Sequence, residues 1–302
     1  MKTTFLHFNT ADDLTLPGLL FENTAYKSDV AAIFLHGSGD SSVFYKPEIK
    51  IWAEKLTNTS TSFFAFNNRG AHMTKQLKDR KIYGSYKEII RECVLDIDGA
   101  FKYLKNLGYK KFIIIGHSTG ANKAVLYNFL KPKNDVIGFV LSGPGDDTGL
   151  AYSALGKEKF YKAISICKDK IKKGFGKSIV PKTIYPRPLT YETLYDMINP
   201  EGDYNNFPYY EVLFKNQFSK KPLFLEFSNL KKPTLIIFGE FDEYCYKNVK
   251  GCMTILKKYA PKKIPFEYQI VKDANHGFYL KEKDIGEIIS NWALTNFGLP
   301  QS

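Results

Sequence analysis

The pentapeptide Gly116-His117-Ser118-Thr119-Gly120 stands between an apolar run at 111–115 and a helix-like stretch at 121–130. A Gly-x-Ser-x-Gly sequence between strand and helix makes a turn so tight that the flanking residues can carry no side chain, and it pushes the serine hydroxyl out of the sheet. The pattern commits the chain to an architecture in which strands feed directly into helices. It also marks Ser118 as a candidate nucleophile.

The remaining sequence supplies the sheet that such a turn needs. From the start to about Leu141, short apolar runs alternate with longer amphipathic stretches, as in repeated β-α units feeding a mostly parallel sheet. Residues 3–9 and 14–22 read as an opening hairpin, in which Pro17-Gly18 marks a bend or an edge irregularity and not a central strand. Strands are predicted at 30–35, 62–66, 112–115 and 136–141, and a helix at 47–56. A long helix is predicted over 86–107, where Ile89, Ile90, Val94, Ile97, Phe101 and Leu104 recur at helical spacing. From about Ser142 to Leu230 the rhythm stops, in a stretch rich in Tyr, Pro, Lys and Phe that is too long for a connecting loop in a compact domain. The rhythm resumes with a strand at 232–239, a helix at 247–259, a strand at 266–271 and a closing helix at 284–297. The expected organisation is an α/β core of residues 1–141 and 231–302 interrupted by an insertion, 142–230.

Composition narrows the function classes. A hydrophobic fraction of 44% over 302 residues supports a large buried core. His7, Asn9, Asp12 and Asp13 interrupt the first apolar residues, so no export signal is read there, and the longest apolar runs have strand length, far short of a transmembrane span. Cys93, Cys167, Cys245 and Cys252 are too scattered for a zinc ribbon or a redox pair. Reduced thiols in a cytoplasmic protein are expected. The net charge of +12 comes from lysines spread in pairs along the chain, which describes a solvated surface and not a nucleic-acid-binding face. A basic mouth would favour anionic substrates.

A serine hydroxyl needs a base within hydrogen-bond reach and an acid that holds the base in one tautomer. His276, in Asn275-His276-Gly277 just after the last predicted strand, is the candidate base. Asp242, after the strand ending near Phe238, is the candidate acid and gives the chain order Ser118, Asp242, His276; Glu240 and Glu243 are its local competitors. Of the other histidines, His7 lies in the opening strand, His36 reads as a packing residue, His72 as a polar loop residue near a site mouth, and His117 as pointing away from the nucleophile. The oxyanion formed on attack needs backbone donors already in place. The Thr119 N–H supplies one, and Ser38, in the His36-Gly37-Ser38-Gly39 loop, the other. Asp146 and Asp147, beyond a strand end, read as a capped turn ahead of a substrate contact. No metal or organic cofactor is expected.

These pieces, with Asn68-Arg69-Gly70, resemble the α/β-hydrolase-fold serine hydrolases over nearly the whole chain outside the insertion. Pro188-Leu189-Thr190-Tyr191 and Gly202-Asp203-Tyr204 are, more faintly, similar to a poorly characterised branch of that superfamily. The resemblance implies a mostly parallel sheet flanked by helices, with residues 142–230 as a cap, or lid, over the active site. Cap aromatics such as Tyr185, Tyr191, Tyr204 and Tyr209 would line a pocket or form the cap's own core. The reading is therefore a hydrolase cleaving a small-molecule carboxylic ester through an acyl-enzyme. An amidase, peptidase or acyltransferase with the same triad is the alternative within catalysis, and a non-catalytic small-molecule binder the alternative outside it.

Overall fold

The computed structural model describes residues 1–38, 42–75 and 82–298. In chain order its strands are β1 (Lys2–Asn9), β2 (Thr15–Glu22), β3 (Val30–Leu35), β4 (Ser62–Phe66), β5 (Met73–Lys75), β6 (Ile82–Gly84), β7 (Lys111–His117), β8 (Val136–Ser142), β9 (Thr234–Gly239) and β10 (Phe266–Val271). The helices are α1 (Pro47–Thr57), α2 (Cys93–Asn106), α3 (Thr119–Leu130), α4 (Asp147–Leu155), α5 (Lys157–Lys172), α6 (Tyr191–Ile198), α7 (Tyr209–Leu213), α8 (Leu225–Ser228), α9 (Val249–Tyr259) and α10 (Glu282–Phe297). Eight strands form one sheet in the order β1-β2-β4-β3-β7-β8-β9-β10, while β5 and β6 make a separate antiparallel pair. From β4 to β10 every neighbouring pair is parallel, and only β1–β2 and β2–β4 run antiparallel.

The unbroken apolar runs of the central strands follow from cover on both faces. Phe112 and Ile114 of β7 pack into one core with α2 and α3, through Ile97, Phe101, Ala121 and Val125. Ile113 and Ile115, on the opposite face, pack with Trp52 of α1 and with Ile285 and Trp292 of α10. Each Val, Ile or Phe side chain buried in this way contributes about 1.5–3 kcal/mol relative to exposure. At the exit of β4, the buried Arg69 donates from Nε to Asp96 of α2 at 2.8 Å and from Nη2 to Asp12 in the β1–β2 turn at 2.8 Å. This pins the antiparallel end of the sheet to α2.

Two local expectations are corrected. The helix expected over 86–107 begins only at Cys93, because Glu88 and Ile89 are extended (ψ 130° and 123°). That extended stretch lets Glu88 turn inward to an ion pair with Lys123 of α3 and lets the Ile90 N–H donate to Asp196 at 2.8 Å. Pro17-Gly18 lies inside β2, an interior strand, and not at an edge. The β2–β4 register starts at Gly18, and the Pro17 carbonyl accepts the N–H of Asn67 at 3.0 Å just beyond it. Backbone N and O of one residue point to the same side of a strand, so the donor that proline lacks falls where the ladder ends.

Between β8 and β9 the chain forms α4 to α8. Tyr191, Tyr204, Phe207 and Tyr209 are buried there and belong to the core shared with α2 and α3. All four cysteines are buried free thiols. Among the described residues no helix is long and apolar enough to cross a membrane.

Candidate active site

The site lies at the carboxyl ends of β3, β7, β9 and β10, around the point where the chain leaves β3 for β4 on one side and returns to β7 on the other. Such switch points leave a crevice between loops that diverge to opposite faces of the sheet. β7 delivers the chain to Ser118, whose backbone (φ 56°, ψ −129°) is in the left-handed half of conformational space. A non-glycine residue there stores about 1–3 kcal/mol, and its surroundings must hold it in place. The Ser118 N–H donates to the Ser142 carbonyl and the Ala121 N–H to the Ser118 carbonyl, each at 2.8 Å. Gly116 and Gly120 are required by close backbone approach: a Cβ on Gly116 would lie 2.3 Å from the Gly120 carbonyl oxygen, and one on Gly120 2.0 Å from that of Leu35.

His276 and Asp242 meet across the ends of β9 and β10. His276 Nδ1 lies 2.9 Å and 3.0 Å from the two carboxylate oxygens of Asp242. A carboxylate can only accept, so Nδ1 carries a proton, and in the neutral ring Nε2 is the nitrogen with the free lone pair. His276 Nε2 is buried and has no hydrogen-bond partner among the described residues, the Ser118 hydroxyl included. Asp242 is itself held by the Tyr244 N–H, which donates to Oδ1 at 3.0 Å. The competing carboxylates are engaged elsewhere: Glu240 accepts the Asp273 N–H and Glu243 the N–H of His276. The Tyr244 ring stands edge-on to the imidazole, centroids 4.6 Å apart.

The other histidines separate cleanly. His36 is fully buried, donates from Nδ1 to the Gly37 carbonyl at 2.8 Å and accepts the Asn68 N–H at Nε2. Burial holds its pKa well below the usual range. His117 donates from Nε2 to the His276 carbonyl at 2.9 Å, and burial together with the neighbouring His276 pulls its pKa down to about 3. It thus steadies the His276 loop as a neutral ring. His72 packs edge-on to Tyr45, which lines the same cavity as Ser118, and His7 lies exposed on the edge strand β1.

Ser118, His276, Thr119 and Ser38 line one cavity of about 740 Å³. The Thr119 N–H heads α3, where a helix leaves its first donors without intrahelical acceptors. Gly39, read from the sequence as part of the oxyanion loop, lies outside the described residues. Asp146 and Asp147 part company. Asp146 is a buried cap of α4, accepting from Gly149 N, Tyr210 N and the Tyr246 hydroxyl, and burial raises its pKa to about 7. Asp147 instead lines the cavity and accepts a hydrogen bond from Thr119 Oγ1 at 3.2 Å. Of the aromatics between β8 and β9, Tyr185 reaches the cavity.

Sequence reasoning missed Arg187, which lines the cavity and donates from Nη2 to Ser38 Oγ at 3.2 Å. A single arginine within a Pro-rich stretch carries no spacing signal that ties it to Ser38, 149 residues earlier.

The fold and its cavity define a protein of the α/β-hydrolase fold. A family model described as a protein of unknown function, DUF1749, matches residues 83–290, and the chain belongs to that family. Among curated proteins no sequence matches. Of solved structures, the alpha/beta hydrolase GrgF from Penicillium sp. sh18 is similar at 14% identity with a TM-score of 0.65, over 98% of this chain and 99% of that one. Est1E from Butyrivibrio proteoclasticus, with ferulic acid bound, is similar at 14% identity and TM-score 0.63, over 96% and 98%. An esterase from Pyrococcus furiosus is similar at 20% identity and TM-score 0.59, over 99% and 92%. At these identities the likeness is one of fold.

Proposed function

We propose that the chain is a serine hydrolase that cleaves a small-molecule carboxylic ester through an acyl-enzyme. The Ser118 hydroxyl attacks the carbonyl carbon while His276 Nε2 takes its proton, and the Asp242 carboxylate stabilises the imidazolium that results. The N–H groups of Ser38 and Thr119 receive the oxyanion. His276 then returns the proton to the departing alkoxide, and water, activated by the same nitrogen, releases the acid. Residues 142–230 act as the cap: Asp147, Tyr185, Arg187 and Met197 from this region line the same cavity as Ser118.

One observation carries the reading. His276 has one nitrogen against the Asp242 carboxylate and the other buried without a partner, on the wall of a cavity that also holds the strained Ser118. A buried ring nitrogen left unbonded is costly unless something is to bond to it. Hydrogen bonds of a catalytic base commonly close only with substrate in place.

The test is intact-mass analysis after exposure to a fluorophosphonate, with Ser118→Ala beside the wild type. One adduct on the wild type and none on the variant is expected, followed by turnover of esters ahead of the matching amides. An adduct that persists on Ser118→Ala, or folded wild-type protein that takes no label and cleaves no ester, would overturn the proposal.

A further inference from the structure

The charged groups on the cavity wall are Lys46, Glu48, Asp147, Arg187, Glu243 and Glu282. Five of them are engaged by the protein itself. Lys46 and Glu48 pair at 3.1 Å, Glu243 accepts the His276 N–H at 3.0 Å, and Glu282 accepts the Leu280 N–H at 3.1 Å. Asp147 accepts from Thr119 Oγ1, and burial pushes its carboxyl up toward the neutral form against the opposing pull of the Arg187 charge. Arg187 differs. It is half-buried, makes no ion pair among the described residues, and spends one donor on a neutral hydroxyl, that of Ser38. A guanidinium has five donors in a rigid fork matched to a carboxylate. A bidentate carboxylate entering the cavity would engage two of the remaining donors at once.

The position is as specific as the charge. Ser38 follows Gly37, and Gly37 lies against Ser118 so closely that a Cβ on it would be 2.9 Å from the serine Cβ. Arg187 therefore reaches, through one hydrogen bond, the residue next to a neighbour of the nucleophile.

We infer that Arg187 is the specificity-determining residue of this cavity and that the substrate is an ester bearing a second, free carboxylate, the half-ester of a short dicarboxylic acid. The inference rests on Ser118 being the reacting residue, as proposed above. The carboxylate docks on the Arg187 fork while the ester carbonyl lies over Ser118.

Two measurements test this separately from the catalytic reading. In the first, monomethyl glutarate and the neutral methyl pentanoate are titrated calorimetrically into Ser118→Ala protein, with and without Arg187→Ala or Arg187→Lys, each variant checked for a wild-type unfolding transition. The half-ester should bind at least about tenfold more tightly than the neutral ester, Arg187→Ala should abolish that preference, and Arg187→Lys should restore part of it. In the second, kcat/KM of the wild type is compared for mono-(4-nitrophenyl) glutarate and 4-nitrophenyl pentanoate, and the ratio should favour the half-ester and collapse in Arg187→Ala. Equal treatment of the two esters, or an Arg187 substitution that weakens both alike, overturns the inference even when Ser118 is labelled and both esters are cleaved. Absence of half-ester binding also overturns it. Arg187-dependent binding in a protein that labels at no serine would keep the carboxylate site but overturn the assignment of its ligand as a substrate, together with the catalytic reading.

Discussion

Gly37 backs onto Ser118 with no room for a side chain: a Cβ built on Gly37 falls 2.9 Å from the Ser118 Cβ and 3.3 Å from its hydroxyl oxygen. The Cβ of Ser118 is fixed by a strained backbone and cannot rotate away. Gly37→Ala should therefore displace either the loop after β3 or the serine itself. We expect a loss of about 1–3 kcal/mol of stability and a fall in ester turnover of roughly 10²-fold or more, as expected for about 1 Å of misplacement. Denaturant unfolding and steady-state kinetics on the same preparation check both.

The acid is assigned by contact with His276 Nδ1. Asp242→Asn keeps the shape but presents an amide to the ring, which favours the tautomer with the proton on Nε2. A fall in kcat of about 10⁴ is expected, with KM nearly unchanged. Glu240→Gln, on an exposed side chain that accepts the Asp273 N–H, should stay within a few-fold of wild type. Full activity in Asp242→Asn would move the role to a neighbouring carboxylate.

Beneath the nucleophile helix, Lys123 and Glu88 form an ion pair at 2.5 Å with side chains 0% and 3% exposed. Removing one partner leaves a buried charge uncompensated, so Lys123→Met should cost about 3–5 kcal/mol. The double variant Lys123→Met, Glu88→Gln should recover part of that loss. Urea midpoints of the three proteins decide, and a single variant as stable as wild type would refute the pairing.

Burial, with Asp203, Glu88 and Glu92 nearby, raises the Asp196 pKa to about 7. An unfolded aspartate titrates near 4, so between about pH 4 and pH 7 the folded state holds a proton that the unfolded state has lost. Over that window this group's contribution to stability falls as pH rises, and it levels off above pH 7. Asp196→Asn keeps an oxygen for the Ile90 N–H and removes the titration. The variant should be more stable than wild type by about 1–3 kcal/mol at pH 8 and show no such gain at pH 4. Unfolding curves across that range measure the difference.

Most of the sheet was legible because its signals are local. The strand of residues 62–66 follows a short, largely apolar run and that of residues 266–271 an alternation of apolar and polar residues, each at the expected bounds. The elbow was legible as a local motif, although only Gly116 answers a clash inside the turn while Gly120 answers the Leu35 carbonyl of β3, and chain order placed His276 and Asp242 at strand ends, where they meet at 2.9 Å. What local pattern could not reveal was decided by partners far away in sequence. The helical spacing of Ile89 and Ile90 was overridden because Glu88 is drawn inward by Lys123 and the Ile90 N–H by Asp196, 106 residues on. Pro17-Gly18 entered an interior strand because the neighbouring ladder happens to end there. Asp146 and Asp147 are adjacent and chemically alike, yet one became a cap and the other cavity wall, since successive residues at a helix start face different ways.

The sequence by itself determined the fold class and the candidates for nucleophile, base and acid, because each rests on short-range sterics or on the order of strand ends. Only the tertiary structure decided which charges share the cavity. Arg187 is an unremarked residue in a stretch without periodicity until folding brings it onto Ser38. The physical reason is that a pocket is enclosed by segments that have no common register, so no spacing along the chain records their meeting.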